Sequence, residues 1–198
     1  MSDLQSLLAQ LAGSRLPEVS QALGADEGQA RSALSMGLPA LLAALQRNAS
    51  RPGGAEALTD ALSRDHDGSV LDDLGSVLGG GREKDGEGIL RHVLGDRRAA
   101  VEQAVGAQSG LDDSQVSKLM TMLAPLVMGQ LGKARRSGGL DAGGLADLLG
   151  RETRTVAKDT PDLGGLASLL DRDGDGSIAD DVGGIAKNIL GGILKRNR

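Results

Sequence analysis

The most constraining feature of this sequence is an internal similarity between residues 23–45 and residues 109–131, which align at an offset of 86 residues. Each segment has apolar residues at helical spacing and a proline at the same place, Pro39 in the first and Pro125 in the second. A proline inside a helix removes a backbone hydrogen bond and kinks or splits the helix. The pattern therefore predicts two related helical modules, each built around a proline-interrupted helix. The other matching positions are Gly24/Gly110, Asp26/Asp112, Gln29/Gln115, Leu34/Met120, Met36/Met122, Leu41/Val127 and Leu45/Leu131.

Helix signals also dominate the rest of the chain. Residues 4–11 carry leucines at helical spacing, and Asp26 stands as an N-cap before a longer apolar stripe. No stretch alternates cleanly between apolar and polar residues, as a half-buried strand does. The chain has no Phe, Tyr or Trp, so Leu, Val, Ile, Ala and Met must form its core. We predict an all-α fold of two related small modules with kinked helices and Gly-rich connections.

A second internal similarity relates residues 64–73 to residues 172–181 at an offset of 108. The second copy is therefore longer by about 22 residues, and within this excess residues 165–170 resemble residues 144–149. Glycine clusters such as residues 79–81 are typical of connections between helices. We predict an N-terminal module at residues 1–80, a linker at 81–86 and a C-terminal module at 87–198.

Three runs of the sequence carry a resemblance to a known family: Gly88–Gly95, Ser109–Leu111 and Met122–Met128. On these runs the chain resembles the bacterial domain-of-unknown-function family 937, which is related to the YidB-like proteins. The resemblance extends over most of the chain and is best over residues 86–182, which include an acidic loop. It implies a small helical domain, and it brings no activity with it.

The acidic run at residues 171–181 has the spacing of a calcium loop. An EF-hand loop places Asp or Asn at positions 1, 3 and 5, Gly at position 6 and a backbone carbonyl at position 7. Residues 171–177 fill these positions, and two further acidic residues stand at positions 10 and 11. The spacing predicts a calcium site. The candidate metal ligands are Asp171, Asp173, Asp175, Ser177, Asp180 and Asp181.

The end of this loop departs from the EF-hand pattern. Position 12 is a bidentate Glu in an EF-hand, whereas this chain has Val182 there. The coordination must then be completed by Asp181, by a remote carboxylate or by water. Because a bidentate ligand is missing, we predict weak calcium binding, with a dissociation constant of about 10⁻⁴–10⁻³ M. The alternative is a turn in which Asp180 and Asp181 cap the next helix. That alternative is favoured for the related loop at residues 63–73, where Ser63 replaces the first acidic ligand.

Composition and motifs argue against several classes of function. The net charge of −5 and the absence of aromatic residues argue against a nucleic-acid partner. Without Cys, the chain has no disulfide, thiol nucleophile or Cys-ligated metal. The sequence contains neither a Gly-x-Ser-x-Gly elbow nor a phosphate-binding loop. Its two histidines lie far apart, and His92, beside an apolar stripe, is typical of a satisfied helix residue. We predict that the protein is not an enzyme.

Residues 182–198 combine an apolar helical stripe with a basic end. Glycine pairs at 183–184 and 191–192 permit close approach of another backbone, and Lys195, Arg196 and Arg198 suit a helix C-terminus. Such a helix can pack on its own module, bind a partner helix or contact an anionic membrane surface. The stripe consists of Val182, Ile185, Ala186, Ile189, Leu190, Ile193 and Leu194.

These observations favour a non-catalytic helical interaction or assembly protein with a weak calcium-type loop. We expect it to bind itself or another protein through apolar helix faces. The alternative is a peripheral membrane or envelope-associated protein that uses residues 182–198. Residues 1–5 lack the pattern of a secretory signal, and no apolar run reaches the roughly 18 residues of a membrane-spanning helix. We therefore expect a cytoplasmic protein, with no cofactor other than weakly bound calcium.

Overall fold

Nine α-helices and two short 3-10 helices make up residues 3–159, the part of the chain that the computed structural model describes. The α-helices are α1 (Asp3–Leu11), α2 (Leu16–Leu23), α3 (Glu27–Ala49), α4 (Gly54–Arg64), α5 (Leu74–Leu78), α6 (Glu83–Val93), α7 (Arg98–Ser109), α8 (Asp113–Gly138) and α9 (Ala142–Asp159). The 3-10 helices are Ser69–Asp73, before α5, and Gly95–Arg97, before α7. Residues 3–159 contain no β-strand, and the predicted all-α fold is confirmed.

The two longest helices, α3 and α8, pack against each other and against most of the other helices. Both begin with the same capping box. Asp26 Oδ1 accepts the backbone N–H of Gln29 at 2.9 Å, and Asp112 Oδ1 accepts that of Gln115 at 2.8 Å. Each glutamine Oε1 in turn accepts the backbone N–H of its aspartate. The predicted N-cap at Asp26 is therefore confirmed.

The two prolines lie inside continuous helices and do not split them. Pro39 is within α3 and Pro125 is within α8, and both are buried. Because proline has no N–H, Pro125 cannot bond the carbonyl four residues earlier, that of Thr121. Helix α6 approaches this carbonyl at Gly86, where an added Cβ would overlap Thr121 O. Tertiary packing thus covers the backbone group that Pro125 leaves free.

One continuous cluster of buried side chains contains members of all nine α-helices. In the absence of aromatic residues it consists of Leu, Val, Ile, Ala and Met, as the composition predicts. Every Leu, Ile, Val and Met between residues 4 and 156 is buried or half-buried. This part of the surface therefore presents no fully exposed large aliphatic side chain. None of the helices between residues 3 and 159 has both the length and the apolar character that crossing a bilayer requires.

The predicted linker, residues 81–86, includes the first turn of a helix. Helix α6 begins at Glu83, so residues 83–86 are helical. Gly86 is buried in this helix against α8. The absence of a side chain at Gly86 permits the close packing of α6 on α8. The division of the chain at residues 80 and 87 stays a prediction.

Candidate functional site

The predicted metal ligands all lie outside the described residues. They are Asp171, Asp173, Asp175, Ser177, Asp180 and Asp181. The apolar stripe predicted within residues 182–198 lies outside them as well. Both therefore stay predictions. The related acidic loop at residues 63–73 is described, and its geometry can be compared with the two interpretations.

In this upstream loop the acidic side chains bind backbone N–H groups. Asp67 Oδ1 accepts the N–H of Ser69 at 3.0 Å, and Asp73 Oδ1 accepts the N–H of Ser76 at 3.0 Å at the start of α5. The hydrogen bond from the Ser69 backbone is the main cause that lowers the pKa of Asp67. Among the described residues, no group of three or more His, Asp or Glu side chains could hold a metal ion. Asp67 thus forms a turn with the following backbone and Asp73 caps α5, the contacts that the alternative interpretation expects of this loop.

This loop docks on α8 through glycines on both partners. A Cβ on Gly132 would overlap the carbonyl oxygen of His66, and a Cβ on Gly129 would overlap Val70 Cγ1. Gly68 has a φ of +97°, and an added Cβ there would lie 3.2 Å from Gly129 O. The loop therefore touches the backbone of α8 directly. The spacing of Gly129 and Gly132, which puts both on one helix face, is a signal for this contact that the sequence-based prediction omits.

The two histidines have different surroundings: His66 is half-buried and His92 is exposed. Burial lowers the pKa of His66, while the carboxyl groups of Asp65 and Asp85 act in the opposite direction. His92 Nδ1 lies 2.8 Å from the carbonyl oxygen of Gly88, one turn earlier in α6. A carbonyl only accepts hydrogen bonds, so Nδ1 carries the proton and donates it. His92 is thus the satisfied helix residue that the sequence predicts.

The contact between the two similar segments is reciprocal. Gln29 Nε2 donates to the carbonyl oxygen of Gly110 at 2.9 Å, and Gln115 Nε2 donates to that of Gly24 at 3.1 Å. Gly24 and Gly110 have positive φ values and end α2 and α7. Each glutamine therefore caps its own helix through Oε1 and binds a helix end of the other segment through Nε2. Donors and acceptors alike differ by 86 residues, the offset of the sequence similarity.

Helices α3 and α8 meet at a pair of residues that the same offset relates. Gly37 lies on α3, and Leu123, 86 residues later, lies on α8. A Cβ on Gly37 would lie 3.2 Å from Leu123 Cδ1 and 3.2 Å from Met120 Sδ. Two leucines facing each other here would compete for one volume. With glycine on one side, the Leu123 side chain alone fills that volume, so the two segments differ at this contact.

A polar network around Arg98 joins α6, α7 and α8. Arg98 Nη2 donates to Glu87 Oε1 at 2.8 Å and to Ser117 Oγ at 2.9 Å, and its Nε donates to Glu102 Oε1 at 2.7 Å. Thr121 Oγ1 also donates to Glu87 Oε1, at 3.1 Å. The hydrogen bond between Arg98 and Glu87 is the main cause that lowers the pKa of Glu87 and raises that of Arg98. These hydrogen bonds join the three helices through side chains.

Helix α9 packs on α3 and α4 with polar side chains on its buried face. Only 7% of Glu152 is exposed, yet Glu152 Oε2 and Thr153 Oγ1 have no hydrogen-bond partner. An unpaired buried polar group costs about 1–3 kcal/mol, whereas each fully buried Leu or Val contributes about 1.5–3 kcal/mol. The buried apolar residues therefore stabilise the packing of α9 on α3 and α4, and the two unpaired polar residues weaken it. The buried positions of α9 up to residue 156 are Leu145, Leu149, Gly150, Glu152, Thr153 and Val156.

Comparison with known families agrees with the helical architecture. The family described as bacterial protein of unknown function (DUF937) matches residues 5–134. The chain belongs to this family. The match runs through both predicted modules and includes α3 and most of α8, whereas α9 and the acidic loop at 171–181 lie beyond its end. The family match thus begins and ends earlier than residues 86–182, where the resemblance from sequence is best. No curated protein and no solved structure matches the chain.

Proposed function

We propose that this protein is a non-catalytic helical assembly protein, whose two related modules pack on each other and which associates with itself or with another protein. The reciprocal bonds of Gln29 to Gly110 and of Gln115 to Gly24 carry the proposal. An interface between two identical units has this form, because residue i of one contacts residue j of the other and j contacts i. The two halves of this chain use the kind of contact by which copies of a protein assemble.

The distribution of apolar side chains points to the segment that meets a partner. The large aliphatic residues between positions 4 and 156 are all buried or half-buried. Residues 182–198 have an apolar stripe in sequence, together with glycine pairs that permit close backbone approach. We therefore assign contact with a partner to residues 182–198. The same stripe with its basic end supports the second candidate, a peripheral membrane protein that binds an anionic surface.

Sedimentation of the full chain and of a chain truncated before Val182 tests this assignment. Under the assembly proposal the full chain sediments as an oligomer. The truncated chain lacks the contact made by residues 182–198 and sediments as a smaller species. Co-sedimentation with vesicles that contain an anionic phospholipid is measured in parallel. If truncation leaves the oligomer intact and abolishes vesicle binding, the membrane candidate replaces the assembly proposal.

The loop at residues 171–181 forms the weak calcium site of this proposal. The support is its ligand spacing, with Asp173 and Asp175 at positions 3 and 5 of an EF-hand loop. Titration calorimetry with millimolar calcium should give heat for the wild type and none for Asp173→Ala/Asp175→Ala. The matched control is Asp65→Ala/Asp67→Ala, which changes the equivalent positions of the capped turn and should leave the heat unchanged. Absence of heat and of any helix change in the wild type overturns the calcium site.

A further inference from the structure

Helix α9 docks on the half of the molecule to which it does not belong in sequence. It follows α8 in the chain, but it packs on α3 and α4, which both precede residue 80. It also lies beyond the family match, which ends at residue 134. Its buried positions are 145, 149, 150, 152, 153 and 156, the spacing of a helix that lies in a groove between two others. The groove between α3 and α4 is therefore a helix-binding surface that α9 covers.

The contacts that hold α9 in this groove are apolar. Among the described side chains, no hydrogen bond or ion pair joins α9 to another helix; its side-chain bonds are internal, as from Thr155 Oγ1 to Arg151 O at 2.9 Å. Glu152 Oε2 and Thr153 Oγ1 are buried without partners. An unpartnered polar group regains water when the helix leaves its groove, so both residues favour release of α9.

The connection between α8 and α9 is short, residues 139–141, and begins with a glycine. Helix α8 ends at Gly138, and Gly139 follows with a φ of +60°. An added Cβ at Gly139 would meet nothing within 4 Å, whereas Leu140 packs against Gly138 and Gly144 and donates its backbone N–H to Arg135 O at 3.0 Å. Because the backbone of glycine is permissive, a rotation at Gly139 can redirect α9 at the loss of these few local contacts.

We propose that α9 is an exchangeable arm, which occupies the groove between α3 and α4 either of its own chain or of a second copy. Exchange keeps every contact of α9 and changes only the connection at residues 139–141, which makes it a low-cost route to a dimer. Docking within one chain has the higher effective concentration, so exchange increases with protein concentration. This inference rests on the proposed assembly function and names a surface for it within the described residues.

Two introduced cysteines report exchange directly, since the chain has none of its own. Gln46 of α3 and Gly150 of α9 are neighbours: a Cβ on Gly150 would lie 3.8 Å from Gln46 Nε2. Gln46→Cys and Gly150→Cys are prepared as separate proteins, mixed at high concentration, diluted and treated with a short bismaleimide. Only an exchanged dimer places the two thiols side by side. The double variant serves as a control for docking, because it is cross-linked within one chain when α9 is not exchanged.

We expect a covalent dimer in the mixture, absent from either single variant alone and increasing with the concentration during mixing. Glu152→Met should slow its appearance by about tenfold, because removal of an unpartnered buried group strengthens docking. One outcome overturns this inference alone: the protein is oligomeric in sedimentation and the double variant is cross-linked within the chain, but the mixture gives no covalent dimer. In that case α9 docks without exchange and the assembly proposal still stands. A protein that stays monomeric in sedimentation at all concentrations, without covalent dimer, overturns self-association as well.

Discussion

Replacement of Gly86 by alanine should destabilise the protein, although alanine is the better helix former. Gly86 lies inside α6, where helix propensity alone predicts a gain of about 0.5–1 kcal/mol in the free energy of unfolding. The new Cβ, however, would overlap Thr121 O and lie 2.8 Å from Thr121 Cγ2. The carbonyl belongs to the backbone of buried α8, so it cannot rotate away as a flexible side chain does. Helix α6 must move instead.

The cost of that movement follows from what α6 contacts. Forced separation of packed elements costs about 1–3 kcal/mol. The movement also strains the hydrogen bonds of Glu87 with Arg98 and Thr121, each of which contributes about 1 kcal/mol. After the gain in propensity is subtracted, we expect Gly86→Ala to lower the free energy of unfolding by about 1–3 kcal/mol.

Gly88→Ala provides a matched control in the same helix. An added Cβ at Gly88 meets nothing within 4 Å, so this variant should be more stable than the wild type by about 0.5–1 kcal/mol. Urea unfolding followed by far-ultraviolet circular dichroism measures both variants. The two should differ by roughly 1.5–4 kcal/mol. If Gly86→Ala is as stable as Gly88→Ala, α6 does not approach the Thr121 carbonyl and the reasoning is refuted.

Further variants test the other contacts. Gln29→Glu and Gln115→Glu keep the capping acceptor but lose the Nε2 donor. Each should therefore lower the free energy of unfolding by about 0.5–1.5 kcal/mol. Wild-type stability of both variants would contradict the reciprocal contact. Gly132→Ala should cost about 1–3 kcal/mol in urea unfolding, whereas Gly143→Ala in α9, whose Cβ has only an ordinary contact at 3.6 Å, should not be destabilised. Stability should fall as pH decreases below about 6.5, because folded His66, with its lowered pKa, resists the proton that the unfolded chain accepts. His66→Gln should remove this contribution to the pH dependence of the free energy of unfolding. Identical pH profiles for the variant and the wild type would contradict the role of His66.

The helices and several of their ends could be predicted from the sequence because the forces that form them are local. The N-cap at Asp26 depends on residues within one turn, and the helical role of His92 depends on a carbonyl one turn away. Apolar spacing likewise predicts an all-α chain without reference to distant residues. The contact between the two similar segments could be predicted only in part. The sequence similarity marks Gln29 and Gln115 as equivalent positions, but the carbonyl groups that accept from their Nε2 atoms are 81 and 91 residues away in sequence.

Only the tertiary structure decided what each glycine does. The sequence by itself determined that glycines punctuate a helical chain, and Gly24 and Gly110 do end helices. Gly86 and Gly132 have the same chemistry but lie inside helices, where a neighbouring backbone occupies the space of the missing Cβ. Local pattern cannot separate these roles, because the second depends on a segment distant in the chain. The docking of α9 on α3 and α4 could not be predicted for the same reason. An apolar stripe indicates which face of a helix is buried, but it does not indicate which helices cover that face.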